Sequence, residues 1–200
     1  SGLNIGVLSC LIQAGALNDE DINSRPRLVL EAQAFNLLTD SEKRNFIAMG
    51  EQYNFDILDS IHAAKTKNLV ADDQKPLMKD SRFATFKKKY DNYKKIYEQN
   101  VKYEKFANWF FEKKLLGYSY SSRLKDAFPD LKNQIQDSAY YESMATGQRA
   151  KFVGVVEDSF KNVSANGNQY IKFVVSDEVG SISGIMVDSR RDLTCTKFLD

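Results

Sequence analysis

FVGVVEDSFKNVSANGNQYIKFVVSDEVGSISGIMVD, residues Phe152 to Asp188, is the stretch of the sequence that decides the fold. It is rich in valine and phenylalanine, which favour strands, and poor in residues that favour helices. Asn166-Gly167 is a strong hairpin signal between two apolar runs, and Val179-Gly180-Ser181 marks a second turn. The stretch therefore predicts three antiparallel strands connected as a meander.

The middle predicted strand has two different faces, because successive side chains of a strand point to opposite sides. One set is purely apolar and is expected to be core: Ile171, Phe173 and Val175. The other set is expected to face outward: Tyr170, Lys172 and Val174.

Cations beside exposed rings are typical of small barrels that bind single strands, since cations hold the phosphates and rings stack on bases. We therefore predict DNA contacts from Tyr170 and Lys172. We also predict DNA contacts from Lys151, which lies beside the predicted sheet, and from Lys161, which is expected in the first hairpin loop. A plain β-meander packed on the helices is the alternative.

Upstream of Gly147 the sequence has helical periodicity, with apolar residues every three or four positions from Leu3 to Leu17. Helix starts are marked by Ser24 with Pro26, and again by Thr39, Asp40 or Ser41 as a cap. The chain is therefore predicted to be α+β. A mostly helical domain, residues 1–145, occupies about three-quarters of it, and an antiparallel β-domain, residues 147–200, follows.

The longest predicted helical segment, Ser81 to Leu116, is basic and carries an aromatic stripe that we interpret as core. The stripe recurs every three or four positions and consists of Phe83, Phe86, Tyr90, Tyr93, Tyr97, Tyr103, Phe106 and Phe110. Between Arg82 and Lys114 there are ten basic and four acidic residues, although the whole chain has a net charge of only +1. Such a face can follow the phosphates of duplex DNA, with the cluster Lys87, Lys88 and Lys89 as candidates. A solvated helix with no ligand is the alternative interpretation.

Histidine and cysteine, which many catalytic and metal sites need, are scarce. His62 is the only histidine, the two cysteines Cys10 and Cys195 are far apart, and no phosphate-binding glycine loop is present. We predict no catalytic residue, no metal and no cofactor in this chain. Two distant cysteines do not make a disulfide framework, which fits a reducing, cytoplasmic compartment. No apolar run approaches the roughly 18 residues that a membrane span needs, so we expect no membrane partner.

Three segments carry a resemblance to one family. LSCLIQAGAL, Leu8 to Leu17, resembles the LI-x-AGA-(F/L)-D signature of the C-terminal region of bacterial and phage DNA polymerase III alpha subunits, with Asn18 at the position of the aspartate. EKKLLGYSYSSRL, Glu112 to Leu124, resembles the family's E-x-x-LG-(F/Y)-x-x-S segment. Phe152 to Asp188 is similar to the OB domain of the family. Residues 40–110 match no part of it that we can name.

The resemblance implies a non-catalytic, DNA-binding excerpt of a replicative polymerase, comprising the end of a helix-hairpin-helix region and a partial OB fold. The parent would be a DNA-directed DNA polymerase, in the host cytoplasm if phage-encoded. Single-stranded DNA, duplex DNA and the remainder of the polymerase chain would be its partners. Arg25 and Arg27 occupy the place of the family's arginine and become further candidates for duplex phosphates. LTCTKFLD is expected to begin the connection to a fourth strand.

The sequence leaves two alternative functions open. The first is a protein-interaction module that docks the polymerase on a sliding clamp, for which Gln52 to Leu58 has a suitable composition. The second is a fragment of an aminoacyl-tRNA synthetase whose OB domain reads anticodons, although the LIQAGAL segment argues against it.

Overall fold

The computed structural model describes residues 3–17, 24–54, 56–71, 75–131 and 133–188. The predicted α+β class is confirmed, because helices come first and a three-stranded antiparallel sheet follows. Two compact units are present, which we call the helical unit, up to Leu116, and the sheet unit, from Gly117. None of the helices in the described ranges combines the length and the apolar character needed to cross a bilayer.

Within its described residues, the helical unit contains six α-helices: α1 (Ile5–Gln13), α2 (Arg25–Asn36), α3 (Asp40–Ala48), α4 (Ile57–Thr66), α5 (Asp80–Asn100) and α6 (Glu104–Leu116). The start signals in the sequence are confirmed. The Ser24 hydroxyl accepts a hydrogen bond from the Arg27 N–H, and Thr39 forms a reciprocal capping box with Glu42. These side chains satisfy backbone groups that a helix start leaves without partners.

The core of the helical unit lies between α2, α3, α4 and the first half of α5. Its buried residues are Ala34, Leu38, Phe46, Ile61, Ala64, Leu77 and Phe86. The aromatic stripe joins this core only where Phe86 is buried and where Phe83 and Tyr90 are half-buried. Further along, Tyr93 and Tyr103 are exposed. Tyr93 is on the second half of α5, which lies beyond this core, and Tyr103 is in a 3-10 turn at Val101–Tyr103 that separates α5 from α6.

The sheet unit contains a 3-10 turn (Leu124–Ala127), the short helix α7 (Ser138–Glu142) and the strands β1 (Val155–Val163), β2 (Gln169–Ser176) and β3 (Ser181–Val187). The division at Gly117 differs from the boundary near residues 145–147 that the sequence predicts. Residues before Gly147 are held to the sheet, since the Leu124 N–H donates to Glu178 Oε2 and Ser138 donates to Asp177.

The strands pair in the order β1-β2-β3, antiparallel throughout, which is the predicted meander. The hairpin loop between β1 and β2 closes at Gly167, whose φ is 79°. Ser164 donates its N–H to the Asn168 carbonyl at 2.8 Å, and Gly167 donates to the Ser164 carbonyl at 2.9 Å. This is a turn followed by a left-handed residue, a conformation that glycine adopts without strain.

The inner face of the sheet has the predicted apolar character. Ile171 is buried, and Phe173 and Val175 are half-buried. The Phe173 ring lies over Gly184 on the neighbouring strand, where an added Cβ atom would be 2.4 Å from the ring. The Phe173 ring therefore occupies the space that a side chain at position 184 would need. The proposed start of a fourth strand, LTCTKFLD, lies outside the described residues.

Candidate nucleic-acid interface

The side of the sheet opposite the Phe173 ring, which we call the outer face, is built from cross-strand rows. Directly paired residues of antiparallel strands project to the same side. Phe160 on β1 pairs with Lys172 on β2, which pairs with Ile185 on β3. The next row contains Asn162, Tyr170 and Val187. Two rows thus present two rings, one ammonium group and two aliphatic side chains on one surface.

The apolar side chains of these two rows are accessible to solvent. Phe160 is 56% exposed, Ile185 62% and Val187 55%. Lys172 is exposed beside them, while Tyr170 is half-buried. Single exposed apolar residues are ordinary on protein surfaces, but a contiguous group around a cation marks a binding surface more often.

The register of β1 decides that Phe160 belongs to this face. Pairing shifts by one residue between Val156 and Asp158, so that Glu157 forms a β-bulge. The Ser176 hydroxyl donates a hydrogen bond to the Glu157 carboxylate across the bulge. Without this extra residue, every side chain on one side of the bulge would project to the opposite face.

The outer face carries little charge. Within the described part of the sheet, Lys172 is its only cation. Asp158, which pairs with Val174 two residues before Phe160, is exposed on the same side. A polyanion would therefore contact the Lys172 end of the face and avoid the Asp158 end, while the rings and aliphatic groups supply most of the contact area.

Two lysines predicted with Lys172 lie elsewhere. Lys161 is not in the hairpin loop, because β1 extends to Val163 and Lys161 pairs with Ile171 on the inner-face side. Its ammonium group is exposed but projects away from Tyr170 and Lys172. Lys151 is exposed ahead of β1 and donates a hydrogen bond to Gln134 Oε1. The sheet therefore brings together Tyr170 and Lys172, but not Lys151 or Lys161.

Arg25, predicted to contact duplex phosphates, is instead a buried residue of the helical unit. It is 5% exposed, and its Nη1 lies 2.5 Å from Oε1 of Glu112, which is completely buried. The same nitrogen lies 3.4 Å from the Gln13 carbonyl. Arg25 thus joins the end of α1 and the start of α2 to α6, and its buried, paired guanidinium is not available to the phosphates of a duplex. We remove it from the candidate contacts.

Arg27 is also engaged within the protein. Its guanidinium contacts Glu31 at 2.8 Å and Asp56 at 3.0 Å. Burial alone would lower the pKa of Arg27, but hydrogen bonds and charge interactions with Glu31 and Asp56 outweigh it and raise this pKa. Because two carboxylates already neutralise its charge, Arg27 is a poor phosphate ligand in this conformation.

The Lys87–Lys89 cluster is exposed along α5, as the prediction requires. Lys87 forms an ion pair with Asp91 at 2.6 Å. Lys88 and Lys89 form no ion pair with any residue that the structure describes. Consecutive helical residues project about 100° apart, so the three ammonium groups spread around α5 instead of forming one patch.

The predicted clamp-docking peptide, Gln52 to Leu58, is divided between two elements. Gln52 lies in a 3-10 turn, and Ile57 and Leu58 begin α4 and pack against the core of the helical unit. Phe55 lies outside the described residues. A docking peptide needs accessible apolar side chains, whereas those of Ile57 and Leu58 are packed against the core.

The acidic turn between β2 and β3, Asp177-Glu178, is structural. Asp177 is buried, and its carboxylate accepts hydrogen bonds from both the hydroxyl and the N–H of Ser138 at 2.7 Å. It also accepts from the N–H groups of Val179 at 2.8 Å and Gly180 at 2.9 Å. Asp177 therefore ties the turn to the start of α7.

Sequence reasoning did not select Phe160 or Ile185, the two most exposed large apolar residues of the outer face. Alternation along β2 identified Tyr170 and Lys172, but the neighbouring strands could be assigned to faces only with the cross-strand register and the bulge at Glu157. In the described ranges no group of three or more His, Cys, Asp and Glu residues could hold a metal ion. Comparisons with protein-family models, curated proteins and solved structures found no match to this chain.

Proposed function

We propose that this chain is a non-catalytic DNA-binding module that holds single-stranded DNA on the outer face of its sheet. The observation that supports this function is the row of Phe160, Lys172 and Ile185, with Tyr170 in the next row. Two rings provide stacking platforms for unpaired bases, and Lys172 provides a charge for the phosphate between them. Paired bases are stacked on each other, so duplex DNA cannot use these platforms.

The segments that resemble the DNA polymerase III alpha subunit suggest where such a module would work. We infer that it belongs to a replicative polymerase of the cytoplasm and positions the template strand for the rest of the polymerase chain. Duplex DNA would be a secondary ligand, contacted by Lys88 and Lys89 on the exposed side of α5. The absence of base-specific polar groups in the Phe160 row favours binding with little sequence preference.

Replacing Phe160 with alanine is expected to weaken binding of single-stranded DNA by about 1–3 kcal/mol, the usual contribution of one stacked base. The measurement is fluorescence anisotropy of a labelled single-stranded oligonucleotide. Val163→Ala is the matched control, because Val163 is 55% exposed on the same strand but belongs to the opposite face. Equal affinities for both variants and the unmodified chain would exclude a stacking role for Phe160.

Replacing Lys172 with glutamine is expected to make binding of single-stranded DNA less sensitive to salt. A plot of log K against log salt concentration has a negative slope, and each lost phosphate contact reduces its magnitude by about 0.7 for single strands. Lys161→Gln removes the same charge from the other side of the sheet and should leave the slope unchanged. Identical slopes for the two variants would show that Lys172 makes no special phosphate contact.

A protein-interaction module is the second candidate, favoured by the exposed aliphatic groups of Ile185 and Val187. A protein partner would cover these side chains without needing the Lys172 charge. We therefore expect oligonucleotide binding to separate the two candidates. Saturable binding of a sliding clamp with no binding of DNA would favour the second function.

A further inference from the structure

The helical unit contains a cavity of about 250 Å³ that none of the functions above uses. It lies between the start of α2, the second half of α5 and the middle of α6, and it is open to solvent on one side. An engineered apolar cavity of about 150 Å³ is sufficient for a benzene ring. This cavity is therefore large enough for one ring system with its substituents.

Aromatic side chains form several walls of the cavity. Tyr93 and Tyr97 approach from α5, and Phe111 approaches from α6. Ile96, 59% exposed, lies at the opening together with the exposed Tyr93. Walls of this kind suit a flat, unsaturated ligand, because ring faces contact rings over a large area.

Carboxamide groups supply the polar part of the lining. The side chains of Gln13, Gln33 and Asn108 make no hydrogen bond within the described residues, and all three line the cavity. Asn100 also lines it, with its Nδ2 donating to the Ile96 carbonyl at 2.8 Å. A purely aliphatic occupant would take water away from these amides without replacing its hydrogen bonds, at a cost in free energy. A heteroaromatic ring with donors and acceptors on its edge would satisfy them.

The charges near the cavity are asymmetric. Arg25 lines it, but its ion pair with Glu112 leaves that wall close to neutral. Lys89 is exposed on α5, one helical turn before Tyr93 and therefore on the same side of the helix. Glu104 stands one turn before Ala107, a lining residue of α6. An anionic substituent would be drawn towards Lys89 and away from Glu104.

We propose that this cavity binds one unpaired nucleobase of a nucleotide. The base lies against Tyr93, Tyr97 and Phe111, the amides of Gln33 and Asn108 bond its edge, and the phosphate lies towards Lys89. Carboxamides and stacked rings are the groups that recognise bases taken out of a duplex. The site belongs to the helical unit and does not depend on the outer face of the sheet.

The test uses the full chain and the four ribonucleoside monophosphates, with binding followed by amide chemical shifts in NMR spectra. At least one nucleotide should bind saturably and shift signals of α2, α5 and α6. Gln33→Leu and Asn108→Leu, made separately, should each weaken that binding about tenfold, the effect of losing one good base contact. Gln99→Leu is the matched control, because Gln99 is an exposed amide of α5 that does not line the cavity.

Two outcomes would overturn the proposal. One is the absence of shifts in the helical unit with all four nucleotides. The other is that cyclohexanol and the nucleotides bind equally well and that neither leucine variant changes this binding. That result would identify the cavity as a binding site for an apolar side chain. Phe160→Ala should leave nucleotide binding in the helical unit unchanged, so failure of the sheet proposal and failure of this one are separable.

Discussion

Glu112→Ala is expected to lower the free energy of unfolding of the helical unit by about 3–5 kcal/mol, the usual cost of removing one partner from a buried ion pair. The variant retains the buried guanidinium of Arg25 but lacks the carboxylate 2.5 Å from it. Arg25 is also the first residue of α2, where the helix dipole disfavours a positive charge. The carboxylate of Glu112 offsets both the burial and this dipole.

The measurement is urea unfolding followed by the fluorescence of Trp109, the only tryptophan of the chain. Trp109 is completely buried one helical turn before Glu112, so its emission reports on this unit. Glu98→Ala is the control, because Glu98 is exposed and its contact with Lys94 is 3.6 Å long. Such surface pairs contribute little, and a Glu98 effect as large as that of Glu112 would contradict the assignment.

A double variant separates charge burial from packing. Replacing Arg25 with methionine and Glu112 with leucine removes both charges and keeps apolar volume. Substitutions of this kind are often neutral or stabilising. We expect the double variant to be more stable than Glu112→Ala alone. If it is equally unstable, the loss comes from packing rather than from the buried charge.

Asp177→Ala is expected to destabilise the sheet unit by about 2–3 kcal/mol, since hydrogen bonds to a charged group are stronger than neutral ones. The variant leaves the N–H groups of Ser138, Val179 and Gly180 without the acceptor that they share. Loss of β2 amide signals during urea titration measures this stability. Asp130→Ala, an exposed aspartate of the same unit, should change it by less than about 0.5 kcal/mol.

The stability of the sheet unit should also depend on pH through Asp177. Burial by itself raises the pKa of this carboxyl, but hydrogen bonds from Gly180, Ser138 and Val179 outweigh it and lower the pKa below its ordinary value of 3.8. A group with a lowered pKa in the folded state stabilises that state above its unfolded pKa. This contribution should disappear as the pH falls below about 4 towards the folded pKa.

Asp177→Asn tests the pH dependence directly. The variant has no titrating group at this position, so the difference in stability between it and the unmodified chain should shrink as the solution becomes acidic. Comparison of the two chains cancels the effects of the other carboxylates. A difference that stays constant from neutral pH to pH values well below 4 would contradict the lowered pKa.

Signals that act over a few residues of sequence determined much of this fold. The Ser24 cap with Pro26 and the Thr39 capping box are local hydrogen-bonding patterns, and both helices start where the sequence predicts. The hairpin at Gly167 depends on a backbone conformation that one glycine adopts. Alternation along β2 correctly made Ile171 a buried residue and left Lys172 exposed, because a strand has the same period whatever surrounds it.

Only the tertiary structure decided what the charged and aromatic side chains of the candidate sites contact. Arg25 meets Glu112 across 87 positions of sequence, so no local pattern distinguishes its buried guanidinium from one that faces solvent. Phe160 and Lys161 exchange faces if β1 slips by one residue, and the bulge at Glu157 fixes that register. Local periodicity specifies which element forms, whereas the pairing of distant segments specifies which side chains share a surface.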